Sequence, residues 1–247
     1  NVAPLAGDSH ANLGWNHAYG ALMTRDMRGD VALGLRLWDL TLFVERDGAV
    51  SVAFSLGGMR NEDAGAWLAE ELARCGLEAG GAALPYGDDL PARVTGLQGT
   101  YDVAGIEPHL SELSDWFANA SGALEAVRAE TADLRPGPSE VRCWPHHFDI
   151  ATLISLSDGD AEEARSIGVG LSPGDATYDQ PYFYVSPWPY PEADALPPLP
   201  GIGAWNTDGF VAAVATGSEI AAVADQGAAA PQFLQVAVNA CRKALSD

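Results

Sequence analysis

The sequence predicts an α+β fold, an antiparallel β-sheet covered by helices in two sub-lobes that each carry a hairpin and a helix. Three observations predict it. Two-residue alternation on either side of Asp47-Gly48 reads as a β-hairpin, because that dipeptide accepts the positive φ angles of a tight turn. The second half holds further short extended runs joined by turns rather than by crossover helices, which favours antiparallel pairing. Between and after them lie stretches of helical periodicity, around Trp67, around Phe117 and at the C-terminus.

Taken in order, Asp8 to Arg28 reads as partly helical, with Leu13, Ala18, Ala21 and Leu22 on one face, although Gly14 and Gly20 oppose it. A hairpin is expected from about Leu35 to Leu56, buried over much of both faces. Asn61 is the expected N-cap of a helix with Glu62 and Asp63 in its first turn, where the helix dipole favours negative charge. Trp67, Leu68, Leu72 and Cys75 share its inner face, and Gly76 closes it as the C′ residue. From Gly76 to Gly105 the chain is rich in Gly, Pro and Asp and reads as a long excursion. The expectation is one domain over residues 1–247, with sub-lobes 1–105 and 106–247.

Pro108 opens a long helix through Trp116, Phe117, Leu124 and Val127, ending before Arg135-Pro136-Gly137-Pro138. Strands are expected over Val141 to Leu156, Arg165 to Leu171, Pro181 to Trp188 and Gly209 to Ala215. From Trp188 to Gly201 five prolines exclude a helix or a central strand. A terminal helix runs from Pro231 to Leu245, with Phe233, Leu234, Val238 and Cys241 inward.

Over 247 residues, 13 basic and 34 acidic side chains give a formal charge of −21. That balance excludes the basic stripe on which nucleic-acid or anionic-membrane binding depends. Lys243 is the only lysine, so no interior lysine is available for Schiff-base chemistry. No run of about 18 apolar residues is present, and the first residues lack the pattern of a secretory leader. Cys75, Cys143 and Cys241 are far apart and odd in number, so free thiols and a cytoplasmic location are expected. Motifs for a dinucleotide, a phosphate loop or a nucleophile elbow do not occur.

Chemistry concentrates between Arg142 and Trp205. In Trp144-Pro145-His146-His147-Phe148-Asp149, strand alternation would put His147 and Asp149 on one face and His146 with the aromatics on the other. A histidine and a carboxylate so placed suit general-base catalysis by His147 and Asp149, or metal ligation. The plainer reading is a hydrogen-bonded pair at a strand end. Ser172-Pro173-Gly174-Asp175 reads as a tight turn, and Gly168 and Gly170 before it would let a ligand approach the backbone while Asp175 points into a site. Tyr182, Tyr184 and Ser186 share one face of their strand, a wet or pocket-lining surface, although aromatic strands are more often core.

The blocks Trp144–Asp149, Ser172–Asp175 and Pro181–Pro191 together resemble an uncharacterised bacterial protein family, over roughly the C-terminal half. The resemblance implies a soluble cytosolic protein of this length and names no chemistry. A looser likeness to a domain of unknown function keeps the Trp-to-Phe-Asp spacing without both histidines, which weighs against a zinc role for the pair.

Two functions follow as expectations. The first is a small-molecule-binding module, with Trp144, Tyr182, Tyr184, Trp188 and Trp205 as walls and Asp175 and Asn206 as polar contacts. The second is a hydrolase dependent on a divalent metal held by His146, His147, Asp149 and Asp175, with a bound water as nucleophile. Neither expectation includes a nucleic-acid or membrane partner.

Overall fold

A computed structural model describes residues 11–27, 29–78, 99–145, 147–159 and 164–246. It is α+β, with two antiparallel sheets in place of the single sheet expected. The chain divides into two compact units, one holding the residues up to Ala118 with Trp144 and Pro145, the other Asn119–Cys143 and the chain from His147 onward. The division falls inside a helix and not at the Gly/Pro-rich excursion, most of which lies outside the described residues.

The first unit is built on a five-stranded meander, β1 (Gly14–Asn16), β2 (Ala21–Met23), β3 (Val31–Arg36), β4 (Thr41–Arg46) and β5 (Ala49–Ser55), in chain order. Where partial helix was expected over Asp8 to Arg28, the described part is the β1–β2 hairpin. The Asn16 side chain accepts from the Ala18 and Tyr19 amides, and Gly20 takes φ +57°, so local turn chemistry overrides the weak helical spacing. The long alternating run after Leu33 is two strands, not one, because Leu40 at φ +47° turns the chain between β3 and β4. Asp47 and Gly48 both have positive φ and form the predicted turn between β4 and β5. Gly34 has a packing role: a Cβ there would lie 2.1 Å from Phe43 Cζ, so the ring fills the space that glycine leaves on the neighbouring strand.

Helix α1 (Asn61–Arg74) begins one residue earlier than expected, with Arg60 at the N-cap and the Asn61 side chain accepting instead from the Tyr101 hydroxyl. Its end matches the prediction. Gly76 at φ +71° donates to Ala73 and Leu77 donates to Leu72, the paired bonds of a Schellman cap. Helix α2 (Glu107–Glu130) buries Phe117, Leu124 and Val127 as its periodicity required.

The second unit holds the candidate site. Its sheet runs β11 (Ala204–Asn206), β12 (Ala212–Thr216), β10 (Tyr182–Trp188), β9 (Ser166–Ser172), β8 (Asp149–Ser155) and β6 (Gly137–Pro138), with β7 (Arg142–Trp144) also paired to β8. The register places Tyr184 opposite both Gly170 and Val214, and Gly170 opposite Ala151. Alternation therefore gives the sheet two unlike faces. Ile150, Ile154, Ile167, Val169, Leu171, Phe183, Val185, Ala213 and Ala215 form one, all at most 1% exposed. Against this face packs α4 (Gln226–Ala244), through Phe233, Leu234, Ala237 and Cys241. The helix starts five residues before the expected Pro231, because Asp225 caps the Ala228 amide; Pro231 lies inside the helix, where it withholds one backbone bond. A short α3 (Gly217–Ala221) joins β12 to α4, opened by a Thr216–Glu219 capping box. Among the described residues no helix is long and apolar enough to cross a membrane.

Candidate functional site

The opposite face carries the sheet's polar side chains beside the apolar Ala151, Ala212 and Val214, and a cleft of about 310 Å³ lies on it. His147, Asp149, Ser172, Asp175, Tyr182, Tyr184, Ser186, Tyr190 and Phe210 line it. The three sequence blocks singled out above thus converge. The first supplies His147 and Asp149, the second Ser172 and Asp175, and the third Tyr182, Tyr184, Ser186 and Tyr190.

Local structure explains each placement. Pro145, His147 and Phe148 lie in turn structure between β7 and β8, with Phe148 at φ +54°, so the expected continuous strand from Val141 to Leu156 is broken there. His147 sits exposed in that turn, and Asp149 is the first residue of β8. The two reach one cleft, but through a turn and not through strand alternation. Asp149 accepts the hydroxyl proton of Tyr184 from two strands away. That reach depends on Gly170. A Cβ at Gly170 would lie 2.6 Å from the Tyr184 Oη and 2.8 Å from Ala151 Cβ, so the phenol occupies the glycine's vacancy as it crosses β9. The group that approaches the Gly168–Gly170 backbone is this ring; a ligand was the expectation.

Asp175 organises the turn after β9. Its Oδ1 accepts the Thr177 amide at 2.7 Å and the Tyr178 amide at 2.9 Å, and its Oδ2 accepts the Tyr182 hydroxyl at 2.6 Å. Gly174, at φ +122°, gives the turn its required backbone. Tyr178 stacks at a tilt on Tyr182, ring centroids 4.7 Å apart, and donates to Asn206 Oδ1 at 3.4 Å. Asn206 in turn donates to the Asp208 and Phe210 carbonyls, which fixes the loop that carries Phe210 to the cleft. Ser186 donates to the Val211 carbonyl at 2.7 Å.

The electrostatics follow from these bonds. Burial, reinforced by the Asp149 charge and its hydrogen bond, pushes the Tyr184 phenol far above its ordinary value. Burial and the bond to Asp175 do the same to Tyr182. For Asp175, burial opposes ionisation, but the donors from Tyr182, Tyr178 and Thr177 outweigh it and hold the carboxyl below its ordinary value. Both tyrosines are therefore neutral proton donors at physiological pH, and Asp175 is a carboxylate.

Of the residues the sequence nominated, His147, Asp149, Asp175, Tyr182 and Tyr184 line the cleft, and Trp144, Trp188, Trp205 and Asn206 do not. Trp144 ends β7 in the other compact unit. Trp205 donates its indole N–H to the Pro197 carbonyl at 2.7 Å and anchors the proline-rich segment. Trp188, 37% exposed, stands edge-on to Tyr190 with centroids 5.1 Å apart. His146 lies outside the described residues. Among the described residues, no group of three His, Cys, Asp or Glu side chains is placed to hold a metal ion. Tyr190 and Phe210 were missed as lining residues. Period-two reading stops at the prolines that precede Tyr190, and Phe210 depends on a loop that Asn206 pins.

Comparison with known proteins finds no match: no family model, no curated protein and no solved structure is significantly similar to the chain.

Proposed function

We propose that the cleft reversibly binds a small polar molecule that donates hydrogen bonds. The observation that carries this reading is the direction of the cleft's own protons. Tyr182, Tyr184 and Ser186 each send the hydroxyl proton to an acceptor inside the protein, namely Asp175, Asp149 and the Val211 carbonyl. Hydroxyls committed in this way can meet a ligand only as acceptors. Apart from the His147 imidazole, the lining contains no nitrogen-bearing side chain to supply donors in their place. A ligand that only accepts, or that carries negative charge, would face mostly acceptors and carboxylates. The ring faces of Tyr182, Tyr184, Tyr190 and Phe210 supply apolar contact around these groups, as small-molecule clefts require.

The test is an NMR-detected screen of small fragments divided into donors, pure acceptors and anions. Donor fragments are expected to shift the ring resonances of Tyr182, Tyr184 and Tyr190, and anions to leave them in place. Hits confined to anions, or mapping away from these rings, would overturn the reading.

A further inference from the structure

We infer that the segment Leu196-Pro197-Pro198-Leu199-Pro200 is a surface ligand for a partner protein that reads polyproline-II helix through an aromatic groove with a basic border. The segment is no part of the cleft lining, so the small-molecule reading is not involved.

Sequence dictates the conformation. A proline ring fixes its own φ at about −65°, and a residue that precedes proline is driven out of the helical region into extended backbone. Every one of the five residues is a proline, precedes one, or both. Leu196 accordingly stands at φ −72° and ψ 124°, close to polyproline-II geometry. Gly201, at φ +98°, ends the run.

The fold presents the segment. A polyproline-II helix has three residues per turn and makes no internal hydrogen bond. Leu196 and Leu199 therefore share one edge, which is half-buried, while Pro198 and Pro200 lie on the other two and are exposed. Trp205, on β11, donates its indole N–H to the Pro197 carbonyl at 2.7 Å and fixes the segment in place. Among the described residues, the carbonyls of Leu196, Pro198, Leu199 and Pro200 accept no hydrogen bond. A polyproline-reading groove takes such pyrrolidine rings between its aromatic side chains and such carbonyls on its donors. Because the segment is already held in this form, little conformational entropy is lost on docking.

Charge selects the groove. Glu192 and Asp194 precede the segment, and no arginine or lysine occurs between Arg165 and Arg242. A groove with an acidic border would repel these carboxylates and find no cation beside the prolines. A basic border complements both them and the net charge of −21.

The probe is a WW domain that binds free Pro-Pro-Leu-Pro peptides and carries arginines beside its aromatic groove. Its counterpart is the same domain with those arginines replaced by glutamate. Each is titrated into the isotope-labelled full chain and, separately, into a synthetic peptide of residues 192–201. The arginine-bearing domain is expected to shift the Leu196 and Leu199 resonances, and to bind the full chain at least as tightly as the peptide. Its counterpart is expected to bind about tenfold more weakly, a difference that about 0.5 M salt largely removes. Pro198→Ala and Pro200→Ala, at exposed positions, are each expected to weaken binding about fivefold or more with unchanged circular-dichroism spectra. Binding to the peptide but not to the full chain would make the segment an internal anchor only and overturn the proposal. It is overturned equally by a peptide that does not bind, by equal binding of the two domains, or by shifts confined to other residues. Should a proline variant not fold, the comparisons of chain with peptide and of one domain with the other decide the question alone.

Discussion

Tyr184 donates its hydroxyl proton to Asp149 across an intervening strand, over the backbone of Gly170. A phenol reaches that far along the sheet only where the residue beneath it has no side chain. The bond links the start of β8 to the middle of β10, and it fixes both the carboxylate and one ring of the cleft.

Gly170→Ala is accordingly expected to be destabilising. The new methyl would stand within 3 Å of the Tyr184 Oη and of Ala151 Cβ, far inside ordinary contact. Overpacking of this kind costs about 1–3 kcal/mol. The phenol is the movable partner, so the substitution should also break its bond to Asp149. Urea unfolding measures the first effect, and the Tyr184 ring shifts measure the second. A variant as stable as the parent, with unshifted ring resonances, would contradict the packing described.

The fold class was legible, because alternation, Asp-Gly and capping signals are local. Strands β8 and β10 fall within the predicted runs, and β9 and β12 start inside theirs and end one residue beyond them, at Ser172 and Thr216. What local reading missed was set by single backbone angles or by distant partners. Leu40 and Phe148 adopt positive φ, which their side chains do not advertise, and each broke a strand that alternation had carried through. Gly170 was noticed as a glycine but assigned to a ligand, since the tyrosine that fills its space lies 14 residues on in sequence. Of the predicted site residues on β10, Tyr182 and Tyr184 were placed by period two alone, while Trp188 in the same register lies outside the cleft lining. Trp205 and Asn206 were drawn by chemistry to the site, yet their polar atoms are taken by backbone carbonyls and by Tyr178.

The three thiols should separate by accessibility. Cys75, Cys143 and Cys241 are free; Cys75 is half-buried at the end of α1, while the other two are buried. Burial, with a contribution from the Asp149 charge, raises the Cys143 thiol, and burial alone pushes Cys241 up to about 12. Because the thiolate is the reacting form, both should be inert in the folded protein. Titration with a chromogenic disulfide is expected to give one reactive thiol under native conditions and three in denaturant. Two or more fast thiols in the folded state would contradict it.

Asp175→Asn keeps an oxygen for the Thr177 and Tyr178 amides but removes the charge that the Tyr182 hydroxyl completes. The expected loss is about 1 kcal/mol at neutral pH, at the low end for charge-assisted bonds because the group is part-exposed. Its pH dependence identifies the cause. The folded carboxyl titrates below its ordinary 3.8, so its contribution is fully present above that value and fades as pH falls through the lower, folded one. The stability gap between parent and variant should be constant from pH 7 to about pH 5 and close below about pH 4. A gap that persists unchanged at pH 3 would assign the loss to the shape of the turn instead.

The alkaline limb tests Tyr184 with the opposite sign. The unfolded phenol ionises near 10.0, and in the folded protein burial and the Asp149 charge hold the proton well beyond that. A raised folded pKa gives stability that is complete below 10.0 and is lost as pH rises above it, at up to about 1.4 kcal/mol per pH unit for one such group. Tyr184→Phe keeps the ring and deletes the titration. At pH 8 it should be less stable than the parent by about 1–3 kcal/mol, because Asp149 loses a buried donor. Above pH 10 the parent should lose stability faster than the variant, and the gap between them should narrow. Urea unfolding of both proteins from pH 8 to 11 measures the two slopes. Parallel profiles across that range would mean that Tyr184 does not hold its proton against Asp149 in the folded state.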